Sequence, residues 1–168
     1  MTELRQDADN TANALDAFSD AGVWAPRLRR LLTEQEELYE SLERLAKGQS
    51  ALIADGDAPG LLSILAERQT VLTALQRSND EMAPFRERWN DLMQELPDAE
   101  RGTLADRVES IAMRIERIAA SDEADREALT ARRVEVSDRL TDVTRSKSAV
   151  SAYGNPQARG PRFQDREG

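Results

Sequence analysis

Asp122 and Asp125 are the residues whose type and spacing come nearest to chemistry. Three apart, they fall on one face of a helix, at positions where the neighbouring pattern expects apolar side chains. Two carboxylates so placed could hold a divalent cation, or act as an acid–base pair of the glycosidase kind. The competing reading is a break in an apolar seam, where a helical bundle frays or a groove for a partner opens. We adopt the second, because the rest of the chain supplies nothing to complete a reactive centre. It contains no His and no Cys, which removes thiol chemistry, disulfides, Cys nucleophiles, zinc fingers and the Glu-x-x-His pairs of di-iron bundles. No glycine-rich phosphate loop, GxSxG elbow or Gly-Lys-Ser/Thr motif is present. The expectation is therefore no enzyme, no cofactor and no metal.

Arg27, Arg29 and Arg30 form one basic cluster, and Arg132 and Arg133 another. Both lie among acidic residues without interleaved aromatics, so each reads as a solvated helix face rather than an RNA platform. A formal net charge of -9 points the same way, away from nucleic acid. No apolar run approaches the ~20 residues that span a bilayer. The first twenty residues carry Glu3, Asp7, Asp9, Asp16 and Asp20 in place of a basic and apolar leader, so a cytoplasmic location is expected.

These residues must be positioned by helices. One third of the 168 residues are charged with both signs interspersed, 39% are hydrophobic and only 4% aromatic, as in a Leu/Ala/Glu/Arg-rich helical protein. Leu28, Leu31, Leu38, Leu42, Leu45 and Leu52 stand in steps of three and four, with Gln35 and Gln49 as the two interruptions. Pro26 suits the opening turn of this helix, Gly56 its left-handed end, and Asp57 with Pro59 the start of the next. The second stripe runs through Leu61, Leu65, Leu72, Leu75 and Met82, interrupted by Arg68 and Asn79. Pro84 should kink or interrupt it, and Phe85, Trp89, Leu92 and Leu96 carry it on to Pro97. Leu104, Val108, Ile111, Ile115 and Ile118 form a third seam. Past Asp122 and Asp125 it resumes more thinly at Leu129, Val136, Leu140, Val143 and Val150. Pairs such as Glu40/Arg44, Glu43/Lys47 and Glu135/Arg139 have the order that supports a helix face, each at only ~0.2–0.5 kcal/mol.

The expected fold is all-α: an elongated, coiled-coil-like antiparallel bundle of three long helices. Residues 1–25, with Leu4, Ala8, Leu15 and Phe18 near helical spacing, form a weakly structured N-terminal extension or short helix. The bundle occupies 26–153, and residues 154–168, with Pro156, Gly160 and Pro161, form a disordered tail. The last helix is longer than the helix it would run back along, which leaves Val136, Leu140, Val143 and Val150 uncovered. Three occupants for that stripe stay open on pattern alone: a partner helix, a second copy of the chain, or the N-terminal segment.

Residues 28–154 resemble the FlgN family of flagellar type III export chaperones, in layout more than in any strict motif. Leu31-Leu32-Thr33-Glu34-Gln35-Glu36 resembles the family's first helix, and Leu61-Leu62-Ser63-Ile64-Leu65-Ala66-Glu67-Arg68-Gln69 followed by Leu72 and Leu75 its second. In the third, Asp122 and Asp125, followed by Ala128 and Leu129, stand where family members tend to carry Asn-x-x-Asn before an apolar pair. Ala152-Tyr153-Gly154 is similar to the family's Tyr-Gly after the last helix. The resemblance implies a cytoplasmic chaperone for the C-terminal helical segments of hook–filament junction proteins, of the FlgK and FlgL kind. It would keep them from associating prematurely and deliver them to the cytoplasmic domain of the export-gate protein. By the same resemblance Val136, Leu140, Val143 and Val150 would bind the client, and Tyr153 the gate. The alternative is a structural coiled-coil scaffold or homodimer that uses the same stripe on itself.

Overall fold

The structure, a computed structural model, describes residues 18–153, the side chains of Ala152 and Tyr153 excepted. Expectations for residues 1–17 and for the 154–168 tail lie outside the described residues. Four helices occupy the described part: α1 (Ala21–Asp55), α2 (Ala58–Glu87), α3 (Trp89–Gln94) and α4 (Asp98–Tyr153). The described residues contain no strand, so the all-α expectation holds, with a fourth, short helix added to the three long ones. The chain divides into two units, Met1–Asp125 and Arg126–Gly168.

The first unit holds α1, α2, α3 and the beginning of α4. Asp20 caps α1, its side chain accepting from the Gly22 N–H at 2.8 Å. Helix therefore begins five residues before the Pro26 start read from the sequence, and Pro26 lies inside it. The earlier start is stabilised by burial, since Trp24 and Ala25 are both core residues. At the other end the chain turns on Gly56, whose φ of 73° is in the left-handed region a Cβ disfavours. Asp57 then caps α2 through the Gly60 N–H, with Pro59 in the first turn, as the sequence indicated.

Side-chain pairing shows the directions of the helices. Between α1 and α4, Glu36 meets Arg107, Glu43 meets Arg114 and Gln49 meets Asp125, a nearly constant separation of 71 to 76 residues that marks parallel helices. Between α1 and α2, Gln35 meets Asn79 whereas Gln49 meets Arg68, so one number falls as the other rises and the pair is antiparallel.

Two apolar clusters hold this unit together. The larger joins Phe18 and Trp24 to Leu32 of α1 with Met82 and Phe85 of α2, Leu92 and Met93 of α3, and Leu104 and Ile111 of α4. Phe18 and Phe85 meet edge to face at 5.1 Å, and the Arg88 guanidinium lies 5.1 Å from the Phe18 ring. The smaller cluster is Leu42, Leu75 and Ile118. Pro84 does not end α2, which continues to Glu87. The interruption falls at Arg88, four residues later, and α3 then carries Leu92 and Met93 into the core. Proline removes the hydrogen bond that its own N–H would make to the preceding turn, and leaves the following turn free to form.

The stripes divide more finely than their spacing suggested. On α4 the buried residues Leu104, Ile111, Ile118 and Asp125 repeat every seventh position, while Val108 and Ile115 between them are exposed. On α2, Leu75 and Met82 are buried and Leu65 and Leu72 exposed.

Charged rows flank the α1–α4 contact. Arg107 grips Glu36 through two hydrogen bonds of 2.8 Å and donates to Thr33, and Glu43 accepts from Arg114 and Arg117 at 2.8 and 3.0 Å. Of the expected i,i+4 pairs, Glu43/Lys47 and Glu135/Arg139 form, whereas Arg44 turns to Ser41. The hydrogen bond from Arg107 holds the Glu36 carboxyl below its usual value of 4.5, and that from Arg117 does the same for Glu43. A carboxyl depressed in the folded state adds stability above its unfolded value, and that stability is lost as pH falls through the folded value. Melting temperature should therefore drop below pH 4.5 more steeply in the wild type than in Glu36→Gln/Glu43→Gln. Parallel pH profiles in a thermal-melt series would show that these pairs do not stabilise the fold.

Candidate functional site

Two places in the chain were candidates from sequence, and the structure treats them differently. The first is the acidic pair. Asp125 continues the buried seventh-residue row of α4 and is 5% exposed. A carboxylate there must be hydrogen-bonded. Gln49 Nε2 donates to one oxygen at 2.7 Å and the Ser50 hydroxyl to the other at 2.6 Å. Asp122, nearer the surface, takes both of its contacts from Arg68, whose two terminal nitrogens sit 2.7 Å from its two oxygens. Arg68 also donates to Gln49 Oε1 at 2.9 Å, closing a polar layer across α1, α2 and α4. Both carboxylates are thus committed to donors, and the charge of Asp122 is balanced by a guanidinium. Among the described residues no cluster of His, Cys, Asp or Glu is arranged to hold a metal ion.

All six interruptions of the apolar stripes belong to such cross-helix pairings. Gln49, Arg68, Asp122 and Asp125 make the layer, and Gln35 donates to Asn79 at 3.0 Å. The frayed seam considered for Asp122 and Asp125 is therefore a closed polar contact. Along its own helix, each of these residues is an interruption of the apolar pattern. The missed signal was that defects of complementary chemistry fall at matching heights on different helices.

The second candidate is the stripe in the Arg126–Gly168 unit. Every residue from Arg126 to Ser151 is exposed. Val136 is 51%, Leu140 63%, Val143 52% and Val150 71% accessible, and Leu129 leads the same row at 42%. Their spacing places them on one face of α4, because residues three and four apart are neighbours on a helix. Tyr153 is the last residue of α4. Arg139 pairs with Glu135 and Arg145 with Asp142, so much of the charge here is absorbed within the helix itself.

One feature of the first unit had no sequence signal. A cavity of about 280 Å³ opens among Leu32, Gln35, Met82, Arg86, Trp89, Val108 and Ile111. Its wall includes Trp89 of the short helix that the stripe reading had merged with α2.

Fold and site together define a protein that is all-helical in its described residues and carries an exposed aliphatic helix face. No helix among the described residues is long and apolar enough to cross a membrane. The family model described as FlgN protein matches residues 24–159, most of the chain, and the chain belongs to that family of flagellar export chaperones. No curated protein and no solved structure matches it. The matched range includes both the polar layer and the whole exposed stripe.

Proposed function

We propose that this chain is a cytoplasmic flagellar export chaperone whose last helix binds the C-terminal helical segments of hook–filament junction proteins. The observation that carries the reading is the row Val136, Leu140, Val143 and Val150, each more than half exposed, inside the family-matched range. Aliphatic side chains at i, i+3 and i+4 spacing form the kind of surface onto which an amphipathic helix docks. Fully covering such a side chain contributes up to about 1.5–3 kcal/mol, and these gains are set against the cost of association. A client that orders on binding offsets part of that gain, which keeps the complex releasable. No catalytic step is invoked, and the export gate is engaged through Tyr153 at the end of the same helix.

The test is a titration of the full chain with a junction-protein C-terminal segment, alongside light scattering of the chain alone. A discrete complex formed by a monomeric chain supports the chaperone. A tight dimer indifferent to the segment would favour the scaffold reading. Tyr153→Ala is expected to weaken docking to the export gate's cytoplasmic domain by about tenfold while leaving client affinity unchanged. Equal loss of both in pull-down and anisotropy assays would contradict separate surfaces.

A further inference from the structure

The exposed stripe has a full three–four register that includes two basic positions. Leu129, Arg133, Val136, Leu140, Val143, Lys147 and Val150 follow one another in steps of four and three, so Arg133 and Lys147 stand within the seam, seven residues either side of Leu140. In the first unit every polar residue at a seam position is matched by a polar group on another helix: Gln35 by Asn79, Gln49 by Arg68 and Asp125, Arg68 by Asp122. Desolvation explains the rule, because covering a charge without a counter-charge costs more than the apolar contacts around it return.

Within their own helix Arg133 and Lys147 have no such counter-charge. Their neighbours three and four residues away are Leu129, Thr130, Val136 and Ser137 for Arg133, and Val143, Thr144, Val150 and Ser151 for Lys147. Arg139 and Arg145, which lie off the seam, have carboxylates at that spacing and are paired with them. The paired arginines thus lie off the seam, and the two cations within it have no carboxylate at helical spacing.

We propose that the helix this stripe accepts is acidic at two seam positions two heptads apart, roughly 21 Å along its axis, with aliphatic residues between. This rests on the client-binding reading above and adds the chemistry of the client. The spacing also works against a parallel second copy of the chain. A parallel pair in full register sets Arg133 against Arg133 and Lys147 against Lys147. That brings like charges together in the layer where repulsion is least screened, so the stripe disfavours a parallel pair with its own copy.

The experiment uses the full chain and three synthetic amphipathic peptides about four heptads long. They are identical except at two seam positions two heptads apart, which carry Glu, Leu or Lys. Fluorescence anisotropy should rank them Glu, then Leu, then Lys, with roughly tenfold or more between the first and last and a narrowing gap as salt is raised. The double variant Arg133→Glu/Lys147→Glu, whose exposed positions leave circular dichroism unchanged, should reverse the ranking. An unchanged ranking in the variant, equal binding of all three peptides, a Leu peptide that binds best, or no binding of any would overturn the proposal. A junction-protein segment titrated in parallel separates the two readings. If it binds the wild type and the double variant equally, the acidic-partner proposal falls and the chaperone reading stands. If it does not bind, while the Glu peptide binds and the preference reverses, the chaperone reading falls and the acidic partner stands.

Discussion

Leu140→Asp combined with Val143→Asp is expected to abolish client binding, with a loss of more than about 100-fold, while the helical signal and melting temperature stay near wild type. Each residue is more than half exposed in the free chain, so neither substitution removes a buried contact. In the complex the same side chains would be covered. Losing two aliphatic anchors forfeits about 1.5–3 kcal/mol each, and the new carboxylates must be desolvated in the interface. An acidic client would add like-charge repulsion. Anisotropy with a junction-protein segment measures the loss, and circular dichroism provides the control. A fall in melting temperature comparable to that of a core substitution would mean that these residues are covered within the free molecule, and the binding face would have to be sought elsewhere.

The second large effect concerns the polar layer. Gln49→Leu should destabilise the fold by about 2–4 kcal/mol, because it leaves one oxygen of buried Asp125 and one N–H of the Arg68 nitrogen that still reaches Asp122 without a partner. The triple variant Gln49→Leu/Arg68→Met/Asp125→Leu should regain most of that loss. It replaces the buried polar groups with apolar ones of similar size, and Asp122, partly exposed, can be hydrated in place of its arginine. Urea unfolding of the three proteins gives the comparison directly. If the triple variant were less stable than the single one, the layer would be a net source of stability. If it were equal to wild type but showed slow exchange among conformers by NMR, the layer would instead act to select one alignment of α1, α2 and α4.

Both predictions turn on residues that the sequence makes visible, but whose roles it specifies to different degrees. The aliphatic positions of the last helix were identified by spacing, and the structure places them on one exposed face. Asp122 and Asp125 were equally visible, but their roles were not, since a carboxylate in a seam is compatible with a metal, a fray or a buried hydrogen bond. The choice was made by Gln49, Ser50 and Arg68, which lie on other helices and reach them only after folding. The start of α1 differs from the Pro26 expectation for a related reason. Pro26 is a strong local signal, but Trp24 has its ring in the core and its indole N–H 3.3 Å from Glu95, and that tertiary contact favours helix through the proline.

What the sequence determined by itself was therefore everything that depends on near neighbours along the chain. Helix type follows from three–four spacing, the turn at Gly56 from a residue without a Cβ, and the exclusion of thiol and imidazole chemistry from the lack of His and Cys. Only the tertiary structure decided which residue of each stripe is buried and which polar interruptions belong together. It also decided that Leu104, Ile111, Ile118 and Asp125 form the inner row of α4 while Val108 and Ile115 lie outside it. Helix periodicity gives a direction around one axis. Burial is set by the other helices, whose directions and heights are fixed by contacts between residues up to 76 positions apart.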